Sequence, residues 1–365
     1  MSKRSKGYII VGLLVLFLLI GWFFNKENGF FEESGSEPKQ NVKDEATAKS
    51  EVKKYIDQEI KDAHFQGTAL IVSQGAIFSQ QSYGYADAEK KLSNKVNSVF
   101  PIASLQKIIT GAIILELVKD GKLTFDTTLD TFFPEVAFSQ DITIRELLNH
   151  SSGIMMEEEE PATLLKDQKS QLDNTLTTLT VTQDKEFFYT NGNYTLLAGI
   201  ISKILQQPYE EVIQKQIIEK LALKHTYFWD DLPKNETKAQ PYYYVGQDYQ
   251  PDPFPTSDKL FSSLLGAGNM YMSPEDFLVF LQSLTNGQLF DQNEYEQLAD
   301  VKNEGYQSGM IYFDELKYSE GNLGGYDTVI YGDQNNQDLV ILFANQQAED
   351  GMRALSERIY QVLSE

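Results

Sequence analysis

The chain has 365 residues, enough for about two ordinary domains or one large domain with an insertion. Its 53 acidic residues against 31 basic ones give a net charge of -22, which excludes nucleic acid as an expected partner, because phosphate binding needs a surplus of lysine and arginine. The absence of cysteine excludes a disulfide framework, a thiol nucleophile and a thiolate metal site.

Residues 1–7 carry Lys3, Arg4 and Lys6, and residues 8–24 are uncharged and almost wholly aliphatic or aromatic. That run is about the minimum length for a bilayer span, and the basic flank orients it with residues 1–7 in the cytoplasm and everything after Phe24 outside. A cleaved signal peptide is the rival reading, but no small-residue cleavage site of the A-x-A type follows the run. The expectation is an uncleaved signal anchor, with the rest of the chain on the cell surface. Residues 25–45 are rich in Glu, Lys, Ser, Gly and Asn without apolar periodicity and read as a solvated linker.

The folded part then occupies 46–365. It opens with a helix over about 46–63, followed by strands at about 67–73 and 76–85 joined by a Gln74-Gly75 hairpin. A mostly helical middle runs over about 100–290. Strand signals return at about 308–313, 325–331 and 339–345, and Leu339 to Phe343 is apolar without alternation, so both faces of that strand should be covered. A helix over about 352–363 closes the chain. The fold class is α/β (α+β), with an antiparallel sheet assembled from both chain ends, flanking helices and a helical inserted subdomain.

Within the helical middle, Ser104 and Lys107 stand three residues apart at the mouth of a stretch in which Lys107 is the only charge from Ser104 to Leu115. On a helix the two share a face. A lysine there loses hydration, which lowers its pKa and makes it a base for the adjacent hydroxyl. The plainer reading is a helix-capping serine beside a lysine that reaches solvent along its stem. The same spacing at Ser36 to Lys39 and at Ser50 to Lys53 lies in polar sequence and is coincidental.

Three segments occur in order: Phe100-Pro101-Ile102-Ala103-Ser104-Leu105-Gln106-Lys107, then Arg145 to Ile154 with its His-Ser-Ser-Gly, then Phe188-Tyr189-Thr190-Asn191-Gly192-Asn193-Tyr194. Together they resemble the serine β-lactamase and penicillin-binding-protein superfamily, in particular its class C β-lactamase-like branch of D,D-peptidases and esterases. The resemblance runs from about residue 51 to the end of the chain. It implies the β-lactamase/transpeptidase-like fold and an acyl-enzyme mechanism without metal or cofactor. It makes Ser104 the nucleophile and Lys107 its partner amine. Tyr189 and Asn191 become the Tyr-x-Asn element, the phenol exchanging protons and the amide contacting substrate. Taken alone, Tyr189 is equally a core aromatic and Asn191 a turn residue or helix cap. A tyrosine near pKa 10 serves as a base at neutral pH only if a cation such as Lys107 lowers it.

The third motif of the family is a Lys or His, any residue, then Gly on the innermost strand. Here it falls on Ser319-Glu320-Gly321-Asn322, with serine in place of the cation. The resemblance assigns substrate binding to Asn191, Ser319, Gly321 and Asn322, and an oxyanion hole to the backbone N–H groups of Ser104 and Asn322. Gly321 to Gly325 read alone is simply a flexible loop. Lys317, two residues before Ser319, shares its strand face and is a candidate substitute cation. His150 reads as structural, Gly266 to Asn269 as a turn bordering the cleft, and Glu157 to Glu160 as a solvated acidic run that would favour an ammonium-bearing substrate if it overhung the cleft.

The function expected is a membrane-anchored extracellular serine hydrolase acting through a Ser104 acyl-enzyme on cell-envelope substrate, such as a peptidoglycan or teichoic-acid-like ester. Esterase, D-aminoacyl esterase and D,D-peptidase-like activities all fit. The alternative is a catalytically reduced, penicillin-binding-like ectodomain that binds envelope polymer or acts as a sensor.

Overall fold

The computed structural model describes residues 42–253 and 256–364. The expected anchor at 8–24 and most of the expected linker lie outside the described residues. Among those described, no helix is long and apolar enough to cross a membrane. The chain divides into two units after Glu51; the helix described next begins in the first, and the other features below belong to the second.

Helix α1 spans Val42–Asp62, so the last residues assigned to the linker are helical. Strands β1 (Gln66–Ser73) and β2 (Ala76–Tyr83) follow. Gln74 and Gly75 both have positive φ, 56° and 75°, the geometry of a tight hairpin turn whose twist matches that of the strands. Helix α2 (Gln106–Lys119) and helix α3 (Asn191–Leu205) form the centre of the helical region, and α4 (Pro274–Ser283) packs beside the sheet. Ser273 caps α4, accepting a bond from the Asp276 N–H, with Pro274 at its first position, as the Ser-Pro sequence implies. Strands β3 (Gly305–Gln307), β4 (Met310–Phe313), β5 (Leu316–Leu323), β6 (Tyr326–Asp333) and β7 (Leu339–Gln346) precede the last helix, α5 (Met352–Ser364).

The sheet has seven strands in the order β3-β4-β5-β6-β7-β1-β2, every neighbouring pair antiparallel. Both chain ends build it, as expected. Strand β7 pairs with β1 in register from Gly67 opposite Ala344 to Val72 opposite Leu339, which joins the first strands to the last. Its apolar run divides between two cores. Val340, Leu342 and Ala344 pack with Ile56 and Ile60 of α1 and Leu355 and Ile359 of α5, while Ile341 and Phe343 join the larger core with α2 and α3.

Two of the seven strands, β3 and β5, lie outside the ranges read from apolar pattern, although the family resemblance does place Ser319 to Gly321 of β5 on a strand. Leu-Lys-Tyr-Ser-Glu-Gly-Asn-Leu carries two charges and a glycine and shows no apolar alternation. Its strand conformation is imposed by pairing with β4 on one side and β6 on the other.

Candidate active site

The nucleophile candidate sits on a bend that the chain holds from several directions. Strand residues Phe100 and Pro101 pair with Met272 and Tyr271, and a short 3-10 turn, Ala103–Leu105, then runs into α2. Ala103 has φ 43°, a conformation that disfavours a side chain. Gly268 accommodates it, since a Cβ there would lie only 3.3 Å from the Ala103 backbone. On the opposite side β5 presses in. A Cβ on Gly321 would meet the Ile102 carbonyl oxygen at 2.2 Å, so only glycine lets the strand reach the Ser104 turn.

Ser104 Oγ accepts hydrogen bonds from the Tyr189 hydroxyl at 2.6 Å and from Lys107 Nζ at 3.1 Å. Lys107 is fully buried, yet its ammonium is satisfied: its other partners are Asn191 Oδ1 at 2.7 Å and the Ala267 carbonyl at 3.0 Å. An ammonium has three protons, and these are three acceptors. The rings of Tyr189 and Tyr194 stand 4.8 and 5.6 Å from the nitrogen. Burial pulls the Lys107 pKa down to about 7, opposed in part by the charge of Glu158. When the amine is neutral, its two N–H bonds still serve Asn191 and Ala267, leaving the lone pair for the Ser104 proton. The amine thus stands where a base for Ser104 would have to stand, and it is buried rather than reaching solvent along its stem.

The condition under which Tyr189 could start as a base is not met. Burial pushes its hydroxyl well above the usual tyrosine value, and the nearby Glu158 adds to the rise, outweighing the bond to Ser104. Lys107 does not lower it. The phenol is held as a proton donor, suited to protonating an oxygen that leaves and unsuited to starting as a base.

Asn191 is the first residue of α3, and Thr190 before it is extended and caps the helix through its hydroxyl to the Gly192 N–H. The Tyr-x-Asn element therefore straddles a helix start, with Asn191 directed at Lys107. His150, fully buried, accepts from the Thr190 N–H at 3.3 Å, and its ring lies 4.4 Å from that of Tyr189. Burial and the Lys107 charge hold it neutral, its pKa well below the usual value. It buttresses the Tyr189 segment, the structural role read from sequence. The turn Gly266 to Asn269 backs the site: Ala267 holds Lys107, the Gly266 carbonyl accepts from Thr110, and Asn269 accepts from Gln106.

Residues 52–363 match the family model described as Beta-lactamase. The chain belongs to the β-lactamase family of serine hydrolases. PbpX of Bacillus subtilis, a protein named for penicillin binding, is 30% identical over 388 residues, covering 99% of this chain and 95% of that protein. A teichoic acid D-alanine hydrolase of Staphylococcus aureus is 28% identical over 244 residues, which span 65% of this chain and 58% of that relative's length. The crystal structure of FmtA from Staphylococcus aureus superposes with a TM-score of 0.74 at 24% identity, covering 91% of this chain and 93% of that one, a likeness of fold.

In this member of the family the third motif is arranged differently from the sequence expectation. Ser319 is nearly buried, and its hydroxyl donates to the Gly309 carbonyl at 2.6 Å. Lys317 does share the Ser319 face, but it cannot replace the missing cation. Its ammonium donates to the Gln334 carbonyl and to Asn336 Oδ1 in the turn between β6 and β7. Gly321 serves close packing against Ile102. The Asn322 side chain points to the other face of the sheet, where its amide donates to Asp327 directly across on β6 at 3.3 Å. Only its backbone remains available to the cleft. Strand β4 pairs with β5 no further than Tyr318, so from Ser319 onward that edge of β5 has no strand partner.

The acidic run also differs. Glu157 and Glu159 are exposed as expected, but Glu158 is not a solvated residue of the run. Its two carboxylate oxygens accept from the Asn191 backbone N–H at 2.8 Å and from Asn191 Nδ2 at 2.6 Å. Four consecutive glutamates carry no local signal that singles one out. Among the described residues no group of three His, Asp or Glu side chains converges to hold a metal ion.

Proposed function

We propose that this hydrolase forms a Ser104 acyl-enzyme on a D-aminoacyl ester of an envelope polymer, and that residues 8–24 anchor it to the outer face of the membrane. The carrying observation is the diversion of both candidate cations' positions: the Ser319 hydroxyl is engaged by Gly309, and Lys317 is held by Gln334 and Asn336. Without a cation at that point, a substrate ending in carboxylate loses its charge-assisted anchor. The acidic loop beside Asn191 instead favours an acyl group carrying an ammonium, as an ester-linked D-amino acid does. The Staphylococcus aureus relative is named for removal of D-alanine from teichoic acid, and the same substrate class is assigned here.

The chemistry follows from the proton inventory. The neutral Lys107 amine takes the Ser104 proton as Oγ attacks the ester carbon. The backbone N–H groups of Ser104 and Asn322 receive the oxyanion. Tyr189, backed by the newly formed Lys107 ammonium, donates a proton to the polymer alkoxide as the C–O bond breaks. Water then attacks the acyl-enzyme, with its proton returned through the same pair, releasing the D-amino acid.

Incubation of the protein with D-alanylated teichoic acid and, separately, with peptides ending in D-alanyl-D-alanine tests the reading, with Ser104→Ala as control. Release of D-alanine from the ester, absent in the control, is expected. Preferential cleavage of the peptide overturns it.

A further inference from the structure

We propose that Glu158 is a positioning residue of this site: its carboxylate fixes the Asn191 amide so that the carbonyl oxygen, and not the nitrogen, meets the Lys107 amine. The inference rests on the acyl-transfer reading of the Ser104 site and assigns to it a control that lies outside the three family motifs.

The orientation follows from donor and acceptor counts. A side-chain amide has one face that donates and one that accepts. The Lys107 ammonium can only donate, and an ionised Glu158 can only accept. Asn191 stands between them, with Oδ1 2.7 Å from Lys107 Nζ and Nδ2 2.6 Å from Glu158 Oε2. Either flip of the amide would set like groups against each other at both ends. The charged amine and Glu158 hold the amide from its two ends; once the amine is neutral and can accept as well as donate, Glu158 is the group that still decides which way the amide faces.

A second contact makes this clamp rigid. Glu158 Oε1 accepts from the Asn191 backbone N–H at 2.8 Å, at the first residue of the 15-residue helix α3. The N-terminus of a helix favours an anion there. The carboxylate is therefore held by the backbone as well as by the amide it orients. Its neighbours in the loop do not share this role. Glu160 bonds to Ser257 at the start of a different helix, and Glu157 and Glu159 face solvent.

The clamp also places a negative charge one amide away from the base. The titratable groups that face Lys107 are Tyr189 from the segment before α3, Tyr194 from α3, His150 from behind Tyr189 and Glu158 from the acidic loop. Burial keeps both tyrosines protonated and His150 neutral in the working range of pH. Glu158 is therefore the one facing group whose charge acts on Lys107, and it acts to keep the amine protonated. Burial raises the Glu158 carboxyl above the usual range, a rise opposed by the two bonds from Asn191 and by the Lys107 charge.

The test reads Lys107 directly. In protein labelled with 13C at lysine Cε, the Lys107 NMR signal is the one missing from Lys107→Arg, and its titration needs no turnover. In Glu158→Gln, loss of the negative charge should lower the midpoint by about one pH unit. The acid limb of Ser104 labelling by a small fluorophosphonate should move down by the same amount. Glu158→Ala should give the same shift and also lower the plateau labelling rate by about tenfold to hundredfold, because nothing then fixes the amide. A side chain with a merely structural role would lower the plateau without moving the limb. An unmoved Lys107 midpoint in Glu158→Gln overturns the proposal. If wild type is never labelled but the midpoint moves as expected, the contact of Glu158 with the Lys107 site stands and the acyl-transfer reading falls.

Discussion

Lys107 near the start of α2 and Lys317 near the start of β5 are both almost fully buried, and burial draws their pKa values down to about 7 and about 8. They differ in what their ammonium groups meet. Lys317 donates to a carbonyl oxygen of Gln334 and an amide oxygen of Asn336, groups that hold no transferable proton. Lys107 meets an amide oxygen, a carbonyl oxygen and the hydroxyl of Ser104. Desolvation makes both lysines willing to lose a proton. Only a neighbour with a proton to give turns one of them into a base.

Methionine at each position should separate the two cases most widely. Lys107→Met is expected to lower ester hydrolysis by about 10²- to 10⁴-fold, the range for loss of a general base. Lys317→Met should leave kcat/KM near wild type but lower unfolding stability by about 1–3 kcal/mol, since the Asn336 and Gln334 oxygens are left unmatched. Steady-state ester kinetics and denaturant unfolding provide the two readouts. Equal losses of activity in both variants would break the comparison.

pH sharpens it further. Since the Lys107 amine must be neutral to act, kcat/KM should rise with pH through a midpoint of about 7. Stability should follow a different curve. A lysine whose folded pKa lies below its unfolded value of about 10.4 leaves the folded state with fewer protons than the unfolded one in between. Stability from Lys317 therefore rises as pH increases from about 8 to 10, and Lys317→Met should flatten that rise. The buried tyrosines, whose pKa values are raised, begin to oppose it only above about 10. Thermal melts across this range would show it; a slope unchanged in Lys317→Met would mean the lysine is not desolvated as described.

The parts of this site that were legible in the sequence are those set by neighbours along the chain. Ser104 and Lys107 meet because one turn of helix brings i and i+3 together, and the Tyr189 to Asn191 element is a helix start. What was not legible depends on distant contacts. Alternation correctly placed Lys317 on the Ser319 face, but nothing local indicated that the turn at Gln334 and Asn336 would draw its ammonium away. Strand β5 owes its conformation to its neighbours, and Glu158 differs from three identical residues beside it only in which one reaches Asn191. Sequence leaves open whether a nearby cation lowers Tyr189; in the structure the burial that lowers the Lys107 pKa raises the phenol.

The smallest expected effect bears on the missing cation itself. Ser319→His restores a positive charge on β5 whenever the imidazole is protonated, below about pH 6.5 for an unperturbed ring. Acylation of Ser104 by a penicillin, whose carboxylate needs that charge, should then rise about tenfold relative to a neutral ester, the equivalent of about 1.4 kcal/mol. The gain has to compete with Lys107, which is a base only above about pH 7. The penicillin rate in the variant should therefore pass through a maximum near neutral pH while the neutral-ester rate keeps its single rising limb. The site resists the larger ring, because the Gly309 carbonyl now bound by Ser319 belongs to a turn lodged against α2, where a Cβ on Gly309 would lie 2.7 Å from the Ile108 nitrogen. A thermal melt separates that steric cost from chemistry. If the variant melts like wild type and the penicillin-to-ester ratio does not change, the absent charge is not what sets the substrate class, and the acidic loop at Glu158 becomes the determinant to dissect.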